Sequence, residues 1–178
     1  VTQLALPPPL ASSAVLSDCG RYRYRLDREL NPANPQSLLW VMANPSTADA
    51  SVDDPTIRKV RGFTQRLGYG RFTVVNLYAY RATDPATLVA AAQRGEDVVG
   101  PENADRVFHA IFEADLVVVA WGRCLADRAA LDLSFAERQV VAAIQYHRGQ
   151  AHCLGRTQGG HPRHPLMLPY STPLEVYS

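Results

Sequence analysis

Apolar residues along this chain fall into short unbroken runs separated by amphipathic stretches. Leu38 to Met42 is one such run. It is too short for a membrane span and too continuous for a half-exposed strand, so it predicts a buried parallel strand. The run stops at Ala43-Asn44-Pro45-Ser46. Pro45 cannot donate to a strand ladder and disfavours helix at Asn44, so the chain turns there. Phe72 to Leu77, Leu116 to Ala120 and Ala151 to Leu154 predict three further strands. Between them, Ile57, Val60, Phe63 and Leu67 put an apolar face on a helix over Thr56 to Leu67. Asp54 caps it, Pro55 sits in its first turn and Gly68 ends it. A short helix is expected around Ala86 to Gln93, capped by Thr83 or Asp84. Gly100-Pro101-Glu102 opens another, with Ala104, Val107, Phe108, Ile111 and Phe112 on one face. A last helical stretch covers Leu125 to Gln145, broken near Asp132 to Ser134.

Strands alternating with helices imply an α/β fold: three layers, α/β/α, around a parallel sheet of about four strands. Ahead of it, Arg21-Tyr22-Arg23-Tyr24-Arg25-Leu26 alternates at period two and reads as a half-exposed strand, an N-terminal β extension. Its arginines either lie in solvent beside the main sheet or lie against phosphates. Residues 1–13, with Pro7-Pro8-Pro9, are expected to be an extended arm, and residues 14–178 a single domain.

Composition narrows the functional classes. With 178 residues, 47% of them hydrophobic, the chain can build a proper core. No apolar run is long enough for a membrane span and no leader pattern opens the sequence, so a cytoplasmic protein without membrane contact is expected. Net charge is +1, which argues against indiscriminate nucleic-acid binding by the whole surface. Cys19, Cys124 and Cys153 fit neither a disulfide framework nor paired metal ligation, and read as buried thiols. Lys59 is the only lysine and sits between Arg58 and Arg61 on a helix face, which disfavours Schiff-base chemistry.

In a parallel sheet the carboxyl ends of the strands share one edge, where open α/β sheets place ligands. That edge gathers Asn44-Pro45-Ser46, Asn76, Trp121-Gly122 and the loop His161 to Leu166. Amides, imidazoles and aromatic rings together suit a flat polar heterocycle. A buried Asn76 either ties loops together or reads a ligand with both donors and acceptors. GxGxxG, GxxxxGK[ST] and GxSxG are all absent, which leaves dinucleotide, P-loop and serine-hydrolase readings unsupported. A metal site from His161, His164 and Asp49 or Asp54 has no regular ligand spacing.

The runs ANPSTADASVDDPT, VVNLYAYRATDP, AWG and GHPRHPLMLPY resemble a bacterial family of small proteins of no settled function, from about Tyr22 onward. More distantly they resemble the uracil-DNA glycosylase superfamily. Asn44-Pro45-Ser46 is similar to its Asn-Pro-Gly turn, with serine in place of glycine. Asn76 matches its base-reading asparagine, Pro101-Glu102 through Trp121-Gly122 its third motif, and His161-Pro162 or His164-Pro165-Leu166 its His-Pro motif.

The resemblance implies a uracil-DNA glycosylase-like fold and a nucleobase-recognising protein that cleaves the N-glycosidic bond of a damaged or deaminated base in DNA. Asn44 positions the water, with Asp49 or Asp54 as base, and His164 stabilises charge on the leaving base. Asn76 reads the base edge beside Pro45 and Ser46, and Tyr78 or Trp121 stacks on it. His161 and Arg163 contact DNA, and Leu166 or Met167 fills the gap left by the flipped base. The implied partner is DNA, single-stranded or lesion-containing, or a nucleobase, with no cofactor, iron-sulfur cluster or metal. The alternatives are a base reader without turnover and an enzyme on free nucleosides or nucleotides.

Overall fold

A computed structural model describes residues 10–123 and 130–177. Residues 1–9 of the expected arm, Cys124 and residues 125–129 of the expected last helix lie outside the described residues. In chain order the elements are β1 (Ser12–Leu16), β2 (Arg23–Glu29), β3 (Ser37–Met42), α1 (Pro55–Arg66), β4 (Arg71–Asn76), α2 (Pro85–Gln93), α3 (Asn103–Glu113), β5 (Leu116–Val119), α4 (Leu133–Arg148), β6 (Ala151–Cys153) and β7 (Glu175–Tyr177). A 3-10 turn, Pro165–Met167, precedes β7.

The strands form one sheet in the order β1-β2-β4-β3-β5-β6-β7. β3 runs parallel to β4 and β5, and β5 parallel to β6, while β1/β2, β2/β4 and β6/β7 pair antiparallel. The expectation of a uracil-DNA glycosylase-like, three-layer fold on a parallel sheet of about four strands is thereby corrected. The fold is α/β, but its sheet is mixed and seven-stranded. Periodicity conceals the difference, because β7 is three residues long and the alternating segment that becomes β2 reads as a half-exposed extension beside the main sheet.

β3 supports both sides of the sheet. Leu39 and Val41 pack with Val75, Val107, Ile111, Val117 and Ile144 on one face. Leu38, Trp40 and Met42 pack with Ile57, Val60 and Phe63 of α1 on the other. Burying each such side chain is worth about 1.5–3 kcal/mol, which is why an unbroken apolar run was needed here. Trp40 meets its polar requirement too, Nε1 donating to Thr64 Oγ1 at 3.0 Å, while Thr64 Oγ1 donates to Val60 O at 2.9 Å.

Two further expectations change. β2 is not half-exposed: Arg23 and Arg28 are buried, because the segment 48–53 folds over them. Ala48 O and Asp49 O accept from their guanidinium groups. On α3 the buried positions are Asn103, Val107, Ala110 and Ile111, whereas Phe108 and Phe112 are exposed and meet the His147 ring edge-on. Cys153 is a buried thiol, but Cys19 is exposed. Among the described residues no helix is long and apolar enough to cross a membrane.

Candidate functional site

A cavity of about 600 Å³ opens where β3, β4 and β5 end. Its wall includes Asn44 and Ser46 from the turn after β3, Asn76 from the last position of β4, and Trp121 and Gly122 from just beyond β5. Asp54 at the start of α1 and His164 and Leu166 beside the 3-10 turn complete it. That volume suits a small organic ligand.

Local sequence explains the placement. Beyond the last β3/β4 pairing, Met42 O and Ala43 O accept from Leu77 N and Tyr78 N, and Pro45 O accepts from Ala82 N at 2.9 Å, so the two exiting segments stay side by side. Asn44 Nδ2 donates to Ala82 O at 2.8 Å and Pro45 O at 3.2 Å. Its Oδ1 makes no hydrogen bond among the described residues. Asp54 caps α1, Oδ1 accepting from Ile57 N at 2.8 Å, and its second oxygen has no hydrogen-bond partner there. Asp54 is 8% exposed.

Gly122 joins the end of β5 to the histidine loop. Its N donates to Pro162 O at 2.9 Å, its φ is 69°, and a Cβ there would lie 3.1 Å from His164 Cβ. Gly122→Ala is expected to lower stability by roughly 1–2 kcal/mol through left-handed strain and to displace His164. Urea denaturation with histidine ring shifts by NMR checks it, and an unchanged midpoint would show that the turn relaxes.

Leu166 N donates to His164 Nδ1 at 3.3 Å, which places the ring proton on Nε2. Burial pulls the His164 pKa below its usual 6.5, with the Asp54 charge acting in the opposite direction. The ring is therefore a neutral donor at neutral pH.

Asn76 is 1% exposed, and its Nδ2 is buried without a partner. Its main-chain oxygen accepts from Asn103 Nδ2 at 3.0 Å. Leaving a buried donor unpaired costs about 1–3 kcal/mol. Asn76 also touches a smaller, largely apolar groove between α3 and α4.

Of the other expected residues, Ser46, Trp121 and Leu166 line the cavity and the rest lie off its wall. Asp49 Oδ1 accepts from Ser51 N, Ser51 Oγ and Val52 N, and the bonds from Ser51 and Val52 hold its pKa low. It is a turn residue off the cavity wall. Pro45 is buried behind the wall, and Ser46 Oγ lies 3.3 Å from Thr83 Oγ1. Tyr78 belongs to the core that includes Trp121, off the cavity wall. Burial, with the charges of Asp132 and Glu137, pushes its hydroxyl up to about 12. Trp121 meets Tyr177 edge-on at 5.8 Å. His161 Nδ1 sits 3.0 Å from Glu137 Oε1, away from the cavity. Arg163 is exposed, and Met167, 88% exposed, stands just beyond Leu166. No group of three or more His, Cys, Asp or Glu among the described residues is placed to hold a metal ion.

Sequence reasoning missed Arg23 as a cavity residue. It is 2% exposed, NH1 donates to Ala48 O at 2.7 Å, and Nε is buried without a partner. Burial pulls its pKa down to about 10, Asp54 opposing the shift, so it remains charged at neutral pH. Thr47, Thr56, Thr83 and Arg123 also line the wall. The signal in the sequence was the alternation of Arg21, Arg23 and Arg25, which leaves these arginines either in solvent or against phosphates and marks none of them as buried.

Among family models, one described as a protein of unknown function (DUF1643) matches residues 23–166. No curated protein and no solved structure matches the chain.

Proposed function

The chain belongs to the DUF1643 family, whose function is unknown, and from the cavity we propose a nucleobase-recognising protein that hydrolyses the N-glycosidic bond of a damaged or deaminated base. The observation that carries the reading is the buried, unpartnered Nδ2 of Asn76 on a cavity wall that also holds Asn44, Asp54 and His164. A site that buries an unpaired amide favours a ligand that pairs it. The edge of a nucleobase offers such acceptors.

In this reading the base leaves its stack and enters the cavity with its edge against Asn76. Water held by Asn44 Oδ1 attacks the sugar carbon, and its proton passes to the uncommitted oxygen of Asp54. The glycosidic electron pair leaves with the base. His164 Nε2–H stabilises the resulting charge on a base oxygen. Leu166 and Met167 stand beside the cavity as apolar groups able to fill a vacated stack.

Oligonucleotides carrying uracil, hypoxanthine, xanthine or a thymine mismatch, single- and double-stranded, test this by abasic-site scoring. Wild-type protein is expected to release one of these bases. His164→Ala should reduce the rate roughly 10²–10³-fold, as loss of a charge-stabilising donor does. Protonating His164 would turn Nδ1 from acceptor to donor and break its bond from Leu166 N, so activity is expected to fall with an apparent pKa below 6.5, the direction in which burial moves that group. Absence of abasic product from every substrate would overturn turnover, and binding without product would leave a base reader.

A further inference from the structure

Arg23 is unusual among the arginines of this fold. Arg25, Arg28, Arg61, Arg94 and Arg106 each make an ion pair with a carboxylate. Arg23 is more deeply buried than any of them, yet it forms no ion pair among the described residues, and its Nε has no hydrogen-bond partner. Arg81 and Arg28 stand close enough to oppose its charge, and Asp54 favours it only from beyond ion-pair distance. A buried cation is expensive unless an anion meets it.

The surroundings supply the rest of an anion site. The carbonyl that holds the Arg23 guanidinium belongs to Ala48, directly after Ser46 and Thr47, and both of these hydroxyl residues line the cavity. Thr83 and Arg123 share the wall. Arginine with neighbouring hydroxyls is a donor set matched to phosphate oxygens. At about 600 Å³ the cavity has room for a base, its sugar and a phosphate.

We infer that the Arg23 end of the cavity is a phosphate subsite, so that the ligand is a nucleotide whose phosphate meets Arg23 while its base meets Asn76. The phosphate half stands on Arg23 alone, and the base half rests on the reading above. A free mononucleotide and a nucleotide within a strand present the same chemistry to the subsite.

Calorimetric titration of the whole chain separates the possibilities, using inorganic phosphate, uridine, inosine, their monophosphates, and trinucleotides carrying the same bases. The expected result is saturable phosphate binding and monophosphates bound roughly 10–100-fold more tightly than nucleosides, the range for a hydrogen bond to a charged group. Arg23→Gln should erase both effects while nucleoside affinity persists, and Arg23→Lys should retain part of them. If Arg23→Gln does not fold by circular dichroism, the lysine variant and the wild-type comparison of nucleoside with monophosphate decide. A trinucleotide that outbinds the monophosphate, with affinity falling steeply as salt rises, identifies a strand as the source. Equal affinity for nucleoside and monophosphate overturns the subsite and leaves base recognition standing. Phosphate binding lost in Arg23→Gln, without nucleoside binding, supports the subsite and overturns base recognition.

Discussion

Asn76→Leu is expected to abolish base recognition while leaving the fold as stable as the wild type or more so. The opposite signs come from one cause. Nδ2 of Asn76 is buried without a partner, so the unliganded protein carries the desolvation cost of that donor, about 1–3 kcal/mol. Leucine has similar bulk, carries no polar group, and would lie on the sheet face of its pairing partner Met42, with Ile57 on the same cavity wall. The main-chain bond from Asn103 to residue 76 does not depend on the side chain. A site built to pair a ligand's polar edge loses about 10⁴-fold or more in discrimination when that pairing is removed. Denaturation in urea and competitive base binding measured on the same preparation check both halves. A less stable variant that still binds would show that the amide serves the fold.

The largest stability effect is expected at Asp53. Arg28, 3% exposed, donates from Nε to Asp53 Oδ1 at 2.8 Å, and Arg61 donates from NH2 to Asp53 Oδ2 at 2.7 Å. Asp53→Ala strands the Arg28 charge, and breaking a buried pair from one side costs about 3–5 kcal/mol. Chemical denaturation reads this directly. A loss under about 1 kcal/mol, the range of exposed pairs, would mean that water reaches Arg28. The same group sets an acid limit. Burial pushes the Asp53 pKa up, but the hydrogen bonds and charges of Arg61 and Arg28 outweigh it and hold it below 3.8. A carboxylate depressed on folding contributes stability above its unfolded pKa and loses it as pH falls through the folded value. The wild-type midpoint should therefore drop as pH is lowered from about 4, and Asp53→Ala should lack that part of the drop.

What the sequence disclosed was what continuous burial and capping disclose. The apolar runs became β3, β4, β5 and β6, and Asp54 caps α1 where its spacing to Ile57 required. Asn44, Asn76, Trp121 and His164 meet at one cavity because strand ends gather on one sheet edge. What stayed hidden depends on contacts distant in sequence. Nothing local tells that segment 48–53 will fold over Arg23 and Arg28, so an alternating charged strand reads as solvent-facing. Three residues of β7 carry no period. Asp49 looked equivalent to Asp54, and only the bonds it accepts from Ser51 and Val52 show that it holds a turn. Phe108 and Phe112 follow helical spacing as well as Val107 and Ile111 do, and the packing of α3 decides which pair faces inward.

The cavity takes Arg23 from one side of the sheet and His164 from far along the chain. On a ribosome adding about 5–20 residues per second, the roughly 140 residues between them take on the order of ten seconds to appear. Through that interval β3, β4 and β5 can pair and the segment 48–53 can close over Arg23, so its burial cost is borne before the ligand site exists. The cavity wall is completed only as the histidine loop docks on Gly122. A nascent chain halted before residue 164 should therefore hold most of its sheet and no ligand.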